Sequence, residues 1–481
     1  MVVTIDWIIV LGLGVLQVVL VGAVIFLENR NPGKTISWLI VLTVLPILGF
    51  VLYLLLGRNV QKRRMFRHKH LKGNRLESIV EQQLQQLSEE ELLPGYGMEQ
   101  KKRLVRLSLN NSLSPLTSNN RFTVLTDGQQ KFKELFAELE RAEDHIHLMY
   151  YIFRDDEIGQ DTRKLLIRKR QEGVEVRVMV DGLGSHKTPK AFFQEMERAG
   201  IEVAVFFPLK FPFLTNRLNF RNHRKIVVID GKVGFLGGMN IGDEYLSRDQ
   251  KLGFWRDTHL AVHGDSVQML QRAFLNDWFF VTRKPINAPK YYPKPEQAGT
   301  MLVQIVPSGP DAEFDSIRQM FFTACATAEK RIYLQTAYFI PDDSIIMALK
   351  MAALSGVDVK LIVQGVPEYR LTYWASRSYF TELLSAGVKL YLYQKGILHT
   401  KVLLVDDEVG CLGSANFDIR SFLLNFEIGA FLYNHEFVER LTKDFVQDLQ
   451  DSVQVEQEVY FNRPLKDRLR ESGARLLSPI L

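Results

Sequence analysis

The chain has 481 residues, 46% of them hydrophobic and 24% charged, which is typical of a folded protein of two or three domains and excludes a disordered chain. The net charge is +5, but residues 58–75 hold eight basic side chains and no acid, so the remainder of the chain carries −3. This distribution argues against a general nucleic-acid-binding surface. With only two cysteines, Cys325 and Cys411, the chain has neither a disulfide framework nor a cysteine-based zinc site.

Two apolar runs at the N-terminus predict a transmembrane hairpin within residues 1–57. The runs cover residues 7–27 and 38–56, and about 20 residues of helix cross a bilayer core. Pro46 can kink the second helix. A secretory signal peptide is disfavoured because no basic residue precedes the first run. A buried helical pair in a soluble protein is the remaining alternative.

The basic strip, residues 58–75, predicts the orientation of this hairpin. Positively charged loops stay in the cytoplasm, and the strip outweighs Arg30 and Lys34 in the turn between the runs. Both termini and the part of the chain that follows the strip are therefore expected on the cytoplasmic side of the cell membrane. The strip either contacts anionic headgroups, at about 1 kcal/mol per basic residue, or acts only as a topology signal. Together with short amphipathic helices it forms a linker over residues 58–118.

An internal repeat occupies the rest of the chain. Residues 173–177, Gly-Val-Glu-Val-Arg, are echoed by Gly-Val-Asp-Val-Lys at residues 356–360. Strand-like and helix-like segments alternate in both copies, which predicts an α/β layered fold for each. We therefore expect two similar halves, residues 119–290 and 291–481, related by a pseudo-twofold axis.

The closest match within the repeat is an H-x-K-x4-D pattern followed by G-[GS]-x-N. Every landmark is displaced by 176 positions without an insertion. The landmarks are His223, Lys225, Asp230, Gly237 and Asn240 in the first half, and His399, Lys401, Asp406, Gly413 and Asn416 in the second. Inside a β-branched run, H-x-K spacing places the imidazole and the ammonium on one face of a strand. The pseudo-twofold can then bring both sets to one cleft.

These side chains suit the cleavage of a phosphodiester. One neutral imidazole can attack phosphorus and form a phosphohistidine. The other, protonated, can donate to the leaving oxygen and then accept a proton from the next nucleophile. The motifs contain no metal-ligand pattern, and no cofactor is expected. Capping of turns is the alternative for the asparagines. The candidates for binding the phosphate oxygens are Lys225, Lys401, Asn240, Asn416 and Ser414.

Four carboxylates are candidates for supporting roles. Asp230 and Asp406 complete the motifs and are candidate catalytic residues. However, each lies seven residues after its histidine and begins a turn, so structural support is at least as good an explanation. Asp257 and Glu427 are better candidates for orienting the imidazoles, because a carboxylate on the far ring nitrogen fixes the tautomer.

With these motifs the chain resembles the phospholipase D superfamily and, more narrowly, the bacterial cardiolipin synthases. The resemblance also includes the two apolar runs and residues 150–153, 181–185 and 475–479. It implies transfer of a phosphatidyl group from one phosphatidylglycerol to the glycerol hydroxyl of another, with release of glycerol. It also implies that His223 is the nucleophile and His399 the general acid, although the pseudo-symmetry permits the reverse. The partners expected are phosphatidylglycerol and anionic membrane lipid, and no nucleic acid.

Two further segments have a possible role at the lipid surface. Residues 206–220, rich in phenylalanine and interspersed with basic residues, form an insertion that the second half lacks. They either dip into the headgroup region or pack on the core. Residues 465–477, with Lys466, Arg468, Arg470 and Arg475, form either a helix lying on the membrane surface or a helix that packs only on the domain.

Other activities fit the same motifs. A hydrolytic phospholipase D or a phosphatidylserine-forming transferase would use water or serine as the acceptor. A nuclease is disfavoured by the predicted anchor and by the acidic catalytic part. A catalytically silent membrane scaffold is disfavoured by the two intact sets of motif residues.

Overall fold

A computed structural model describes residues 2–27, 32–56, 74–93, 99–208 and 219–478. The chain divides into two compact units. One contains the N-terminal helices, and the other contains the linker helices and both halves of the repeat. The basic strip lies outside the described residues except for its last two, Asn74 and Arg75, and so do residues 209–218 of the insertion and the C-terminal residues 479–481.

The N-terminal unit is built from three helices: α1 (Val2–Leu27), α2 (Pro32–Val44) and α3 (Pro46–Leu56). They pack around Val24, Leu42 and Tyr53, and the rings of Trp38 and Tyr53 meet edge to face at 5.3 Å. The second apolar run is therefore two helices of 13 and 11 residues rather than one. The break falls at Leu45, because the ring of Pro46 disfavours a helical conformation for the residue before it.

The two predicted membrane spans are not shown by the structure. Within the ranges that it describes, no helix combines the length and the apolar character needed to cross a membrane.

The first half of the repeat contains a seven-stranded mixed sheet in the order β1-β9-β7-β6-β2-β3-β4. Strands β2, β3 and β4 run parallel, and the other neighbours pair antiparallel. Every residue of β2 is buried, as expected for a central strand covered on both faces. The strands are β1 (Asn120–Leu125), β2 (His145–Tyr150), β3 (Glu175–Asp181), β4 (Glu202–Phe206), β5 (Arg221–Asn222), β6 (Ile226–Ile229), β7 (Val233–Gly237), β8 (Phe254–Arg256) and β9 (His259–Gly264). The helices are α6 (Gly128–Glu140), α7 (Glu157–Gln171), α8 (Lys190–Arg198) and α9 (Ser266–Thr282).

The second half contains a larger sheet in the order β10-β19-β17-β16-β11-β13-β14-β20, with β5 of the first half also paired to β19. The strands are β10 (Val303–Ser308), β11 (Arg331–Thr336), β12 (Phe339–Ile340), β13 (Asp358–Gln364), β14 (Lys389–Tyr393), β15 (Gly396–Leu398), β16 (Lys401–Val405), β17 (Val409–Gly413), β18 (Phe417–Asp418), β19 (Asn425–Leu432) and β20 (Ser452–Gln454). The helices are α10 (Ser316–Ala326), α11 (Asp343–Leu354), α12 (Arg370–Arg377), α13 (Phe380–Ser385), α14 (Ile419–Leu423), α15 (His435–Gln450), α16 (Gln457–Phe461) and α17 (Leu465–Arg475).

The two sheets have the same core topology. In strand order, β1, β9, β7, β6, β2, β3 and β4 correspond to β10, β19, β17, β16, β11, β13 and β14. Equivalent helices also begin alike, because the carboxylates of Asp156 and Asp342 accept backbone N–H groups at the starts of α7 and α11. The prediction of two similar α/β layered halves is confirmed. Two short ladders, β5 with β19 and β15 with β8, join one half to the other.

The linker forms two amphipathic helices, α4 (Asn74–Ser88) and α5 (Glu99–Ser112). Leu104, Val105 and Leu109 of α5 are fully buried in the core of the second half, not of the first half that follows them in the chain. The segment after α5 is held there as well, because the side-chain amide of Gln304 donates to the carbonyl of Ser114 at 2.7 Å.

The described ends of the 206–220 insertion pack into the protein. Phe206, Phe207 and Phe220 are buried, and the Phe206 ring contacts the rings of Phe280 and Phe426 at 5.6 and 5.1 Å between centroids. For these three residues the structure matches the core-packing alternative.

Candidate active site

The first H-x-K motif lies between two strands rather than inside one. Asn222 ends β5, and Ile226 begins β6. The backbone N–H of His223 donates to the carbonyl of Phe426, on the ladder between β5 and β19, at 2.9 Å. The expectation that the motif lies within a continuous strand is corrected, because the residues before it pair with the other half of the repeat.

The second motif repeats this arrangement. The backbone N–H of His399 donates to the carbonyl of Arg256, at the end of the β15–β8 ladder, at 2.7 Å. Each histidine is therefore positioned by a strand of the opposite half.

A carboxylate of the opposite half contacts each imidazole. His223 Nδ1 lies 3.0 and 3.1 Å from the two carboxylate oxygens of Glu427. His399 Nδ1 lies 2.6 Å from Asp257 Oδ2. When Nδ1 carries the proton and donates to the carboxylate, Nε2 is left with its lone pair for chemistry. The structure thus brings together these four candidates from the sequence in two pairs. Each pair is crossed, which means that the histidine belongs to one half and the carboxylate to the other.

The two carboxylates are held differently. Glu427 accepts hydrogen bonds from the hydroxyl of Ser414 and from the amide of Asn425, the latter at 3.3 Å. Asp257 accepts the backbone N–H of Thr258 at 2.7 Å. Gly238 occupies the position equivalent to Ser414, and a Cβ there would clash with the Asp257 carboxylate.

These contacts alter one expectation. The hydroxyl of Ser414, a candidate for binding phosphate, is directed at Glu427, and the backbone N–H of Ile428 donates to it at 3.0 Å. The structure therefore places the Ser414 hydroxyl against Glu427, and its predicted contact with the phosphate stays a prediction.

Both motif lysines are buried between the halves. Lys225 Nζ donates to the carbonyl of His223 at 2.6 Å. Lys401 Nζ donates to the carbonyl of His399 and lies 3.0 Å from its Nδ1. Burial lowers the pKa of Lys225 to about 7, against the attraction of Glu427. Burial also lowers the pKa of Lys401, which Asp257 and Glu427 oppose.

Burial favours the neutral form of both imidazoles. Burial lowers the pKa of His223, although Glu427 opposes the shift. Burial and then Lys401 lower the pKa of His399 to about 4, although Asp257 opposes them. Each histidine pKa is also lowered by the lysine of the other motif, so the two motifs act on one common site. Neutral imidazoles are the form that a nucleophile requires.

The carboxylates stay charged. Burial alone would raise the pKa of Asp257, but Lys401 and His399 outweigh burial and lower it. The pKa of Glu427 is lowered in the same way, by His223 and Lys225 against burial. Two charged carboxylates and two lysines of lowered pKa therefore surround the histidines.

The two motif asparagines lie at the site with protein partners of their own. Asn240 is buried, donates to the Tyr245 hydroxyl at 2.7 Å and accepts the backbone N–H of Ile152 at 3.1 Å. The side chain of Asn416 binds the carboxyl of Asp418. Each amide thus ties a motif to a neighbouring turn, in line with the capping alternative.

Asp230 and Asp406 lie at the other end of their strands. The Asp230 carboxylate accepts the backbone N–H groups of residues 143–145, each at 2.8 Å. The Asp406 carboxylate accepts those of residues 329–331, at 2.7 to 3.2 Å. Both residues have a positive φ, 54° and 53°, which aspartate tolerates in a turn. Their contacts are those of structural supports for the turns before β2 and β11.

Aromatic rings that had no assigned role line the histidines. The Tyr151 ring lies edge-on to His223 at 5.1 Å, and Lys225 Nζ lies 5.6 Å from the centre of the same ring. Trp255 and Tyr245 flank His399 at 5.2 and 6.4 Å. The position of Tyr151 directly after the buried β2 strand was the available signal, because that edge of the sheet holds the site.

Buried polar contacts between the halves were also missed. Arg224, the middle residue of the first motif, donates to the carbonyl of Glu427 in the second half at 3.0 Å. It also donates to Asp277 of its own half at 2.7 Å. Thr400, its equivalent in the second motif, hydrogen-bonds Thr258 at 2.8 Å. The variable x of H-x-K thus connects each motif to the opposite half.

No group of three or more His, Cys, Asp or Glu side chains placed to hold a metal ion occurs in the described part of the chain.

Comparison with known families identifies two matches. A family described as "Cardiolipin synthase, PLD-like domain" matches residues 135–278 and 322–449. A family described as "Phospholipase_D-nuclease N-terminal" matches residues 15–58.

Curated relatives are similar over nearly the full chain. The "Cardiolipin synthase 2" of Bacillus anthracis is 45% identical over 464 residues, covering 96% of this chain and 90% of the relative. The "Cardiolipin synthase" of Halalkalibacterium halodurans is 46% identical over 471 residues, covering 97% and 92%. The major cardiolipin synthase of Bacillus subtilis is 42% identical over 474 residues, covering 97% and 98%. These matches confirm the resemblance that the repeated motifs predict.

Among solved structures, the phosphatidylserine synthase of Haemophilus influenzae superposes with a TM-score of 0.61 at 18% identity. It covers 80% of this chain and 100% of that one. At this identity the likeness supports the fold of the two halves.

Proposed function

Because the chain belongs to the cardiolipin synthase family of the phospholipase D superfamily, we propose that it transfers a phosphatidyl group from one phosphatidylglycerol to another, giving cardiolipin and glycerol. The observation that carries this proposal is the pair of crossed histidine–carboxylate contacts around two buried lysines.

In the first step, Nε2 of His223 attacks phosphorus and the bond from phosphorus to the headgroup glycerol oxygen breaks. His399 gives its Nε2 proton to that oxygen, and glycerol leaves. In the second step, His399 accepts a proton from the glycerol hydroxyl of the second phosphatidylglycerol as that oxygen attacks phosphorus. The phosphorus–nitrogen bond breaks, and both histidines return to their starting forms.

Substrate binding raises the pKa of His399, the general acid, and so favours its protonated form. His399 is neutral at pH 7 because burial and Lys401 hold its pKa at about 4. A phosphodiester anion between Lys225 and Lys401 offsets their positive charge and raises this pKa. The same anion stabilises the charged form of Lys225, whose pKa is otherwise about 7. The lysines can then stabilise the charge that develops on the phosphorane oxygens.

Asp257 and Glu427 act as positioning residues. Each keeps the proton of its histidine on Nδ1 and stabilises the imidazolium when one forms. Asp230 and Asp406 have no part in the proposed steps, since their carboxylates bind backbone amides.

The N-terminal helices anchor the enzyme to the membrane that contains its substrate. Support comes from the apolar runs of residues 7–27 and 38–56 and from the family match over residues 15–58. The basic strip places both termini and the active site on the cytoplasmic side. Extraction of membranes with alkaline carbonate tests the anchor, and protease protection in sealed inverted vesicles tests the orientation. Release of the full chain by carbonate would contradict the anchor.

The activity is tested with purified protein in vesicles that contain phosphatidylglycerol labelled in the headgroup glycerol and in the acyl chains. We expect acyl label in cardiolipin and an equal amount of released glycerol, with neither formed by His223→Ala. Formation of phosphatidic acid instead would identify a hydrolase, and phosphatidylserine formed only with added serine would identify the other transferase. No product under any of these conditions would contradict enzymatic function.

A further inference from the structure

The C-terminal helix α17 carries an exposed row of leucines that the proposed reaction does not use. Leu465, Leu469 and Leu476 are 67, 64 and 82% exposed. They are spaced by four and seven residues, so with about 3.6 residues per turn they share one face of the helix. Single exposed leucines are common on protein surfaces, but an aligned set marks an interaction face.

The opposite face fixes the orientation of this helix. Glu471 and Ala474 are buried, and the Glu471 carboxylate is paired with Arg377 of α12 at 3.2 Å and with Arg463 at 2.7 Å. Two arginines hold its flanks. Arg470 lies over the Trp374 ring at 5.3 Å, and Arg475 over the Tyr379 ring at 4.2 Å. Because the inner face is tied by buried ion pairs, the leucine face points away from the domain.

Two basic residues border the leucine face. Lys466 and Arg468 are exposed, one on each side of the row. Neither forms an ion pair with any other described residue. The helix therefore has apolar side chains on its outer face and a basic residue at each border.

The helix also lies beside an element that leads from the active site. It packs along α12, which begins directly after Glu368 and Tyr369. The Glu368 carboxylate accepts a hydrogen bond from the Tyr338 hydroxyl at 2.6 Å, and Lys401 lowers its pKa against the larger effect of burial, which raises it. Tyr369 is 60% exposed and Leu371 of α12 is 43% exposed. Exposed apolar side chains thus occur at the start of α12, next to the edge of the site, and α17 packs along the same helix.

We propose that α17 lies on the surface of an anionic bilayer, with Leu465, Leu469 and Leu476 inserted among the lipid chains and Lys466 and Arg468 beside the phosphates. Leucines at the centre and cations at the borders match the layering of a membrane interface, where apolar chains lie beneath charged headgroups. This contact is separate from the N-terminal anchor. It holds the catalytic halves at the membrane surface, and it rests on the proposed function only in that the substrate is a membrane lipid.

The first experiment places a fluorescent probe on the leucine face of the full chain. Both native cysteines are buried, and burial raises the pKa of Cys325 to about 12, so an introduced surface cysteine is labelled selectively. Leu469→Cys carries the probe, and Lys164→Cys on α7, 72% exposed, is the matched control. The proteins are reconstituted in vesicles that contain phosphatidylglycerol and spin-labelled lipid.

We expect lipid quenching at residue 469 and little at residue 164. Quenching at 469 should fall when Lys466 and Arg468 are both replaced by glutamine, or when phosphatidylcholine replaces the anionic lipid. Equal quenching at the two positions would overturn the proposal. Protection of residue 469 from both lipid and aqueous quenchers would also overturn it, because a protein surface would then cover the face.

The second experiment separates this contact from catalysis. The double variant Leu465→Ser/Leu469→Ser should lower turnover of long-chain phosphatidylglycerol in vesicles by about tenfold through a higher apparent KM. Turnover of a dispersed short-chain phosphatidylglycerol should be unchanged. An unchanged rate in vesicles would overturn the inference about α17, whereas the absence of product from the unaltered chain with either substrate would overturn the proposed function.

Discussion

The two halves of the site place similar groups in different surroundings. His223 faces Glu427, whose carboxylate is shared with the Ser414 hydroxyl and the Asn425 amide. His399 faces the shorter Asp257, which is closely packed against Gly238 and lies nearer to its imidazole. One scaffold used twice thus provides two imidazoles in different surroundings, one of which we propose as the nucleophile and the other as the general acid.

The largest expected effect separates these two roles. His223→Ala and His399→Ala should each reduce cardiolipin formation by at least about 10³-fold. Only a chain that retains His223 should form an acid-labile lipid adduct, which mass spectrometry of rapidly quenched protein can detect. Both variants should melt within a few degrees of the unaltered chain. An adduct that requires His399 rather than His223 would reverse the assignment.

Removing the carboxylates should alter opposite sides of the pH profile. Glu427 raises the pKa of His223, so Glu427→Gln lowers that pKa, and a nucleophile that must be neutral stays active at lower pH. Asp257 raises the pKa of His399, so Asp257→Asn lowers that pKa. Because the general acid must be protonated, activity is then lost at a lower pH as the pH is raised.

The measurement is kcat/KM against pH, with a loss of about 10²-fold at the optimum for each variant. The acidic limb should move to lower pH in Glu427→Gln, and the alkaline limb should move to lower pH in Asp257→Asn. An exchange of the two shifts would assign the roles the other way, and profiles that keep their shape would contradict the positioning role.

Exchanging the residues behind the carboxylates should have a smaller and unequal effect. Gly238→Ser introduces a Cβ that clashes with Asp257 and displaces it from His399, for a loss of about 10- to 100-fold in kcat. Ser414→Gly removes one hydroxyl donor to Glu427, for a loss of about fivefold. Steady-state assays at the pH optimum give both values. Equal losses would mean that the two surroundings are interchangeable.

The smallest effect on catalysis is expected at the far ends of the strands. Asp230→Asn and Asp406→Asn should each lower the free energy of unfolding by about 1 to 3 kcal/mol, because three backbone N–H groups lose a charged acceptor. The rate per folded molecule should change less than about twofold, since neither carboxylate contacts His223 or His399. Denaturant titration followed by an active-site-normalised assay tests both statements. A large loss of kcat in a stably folded variant would restore a catalytic role.

Much of the fold was predictable, because the repeat keeps its landmarks at one spacing. The 176-residue displacement identified two similar α/β halves and their motif residues without reference to any structure. Local spacing carries no information about which half supplies a partner, so the pairing of His223 with Glu427 and of His399 with Asp257 was not predicted. The same limit applies to α5, where amphipathicity identified a buried face but not the second half that buries it.

The remaining differences have local causes. Ser414 looks like a phosphate ligand in a G-[GS]-x-N pattern, yet the nearby carboxylate of Glu427 is the stronger acceptor for its hydroxyl. The second apolar run reads as one helix by hydropathy, but Pro46 divides it. Arg224 was missed because a basic residue inside a motif is too common to be informative, and Tyr151 because it lies far from the motif in the chain and meets His223 only in the fold.

The crossed carboxylates also affect how the enzyme is made. Glu427 follows His223 by 204 residues in the chain. When the ribosome has made the whole first half, His223 is therefore present but the carboxylate that contacts it is not. The emerging polypeptide can reach the membrane before it can cleave phospholipid. We expect a chain that ends before residue 427 to be far less active than the full chain, because it lacks the carboxylate and the strand that position His223.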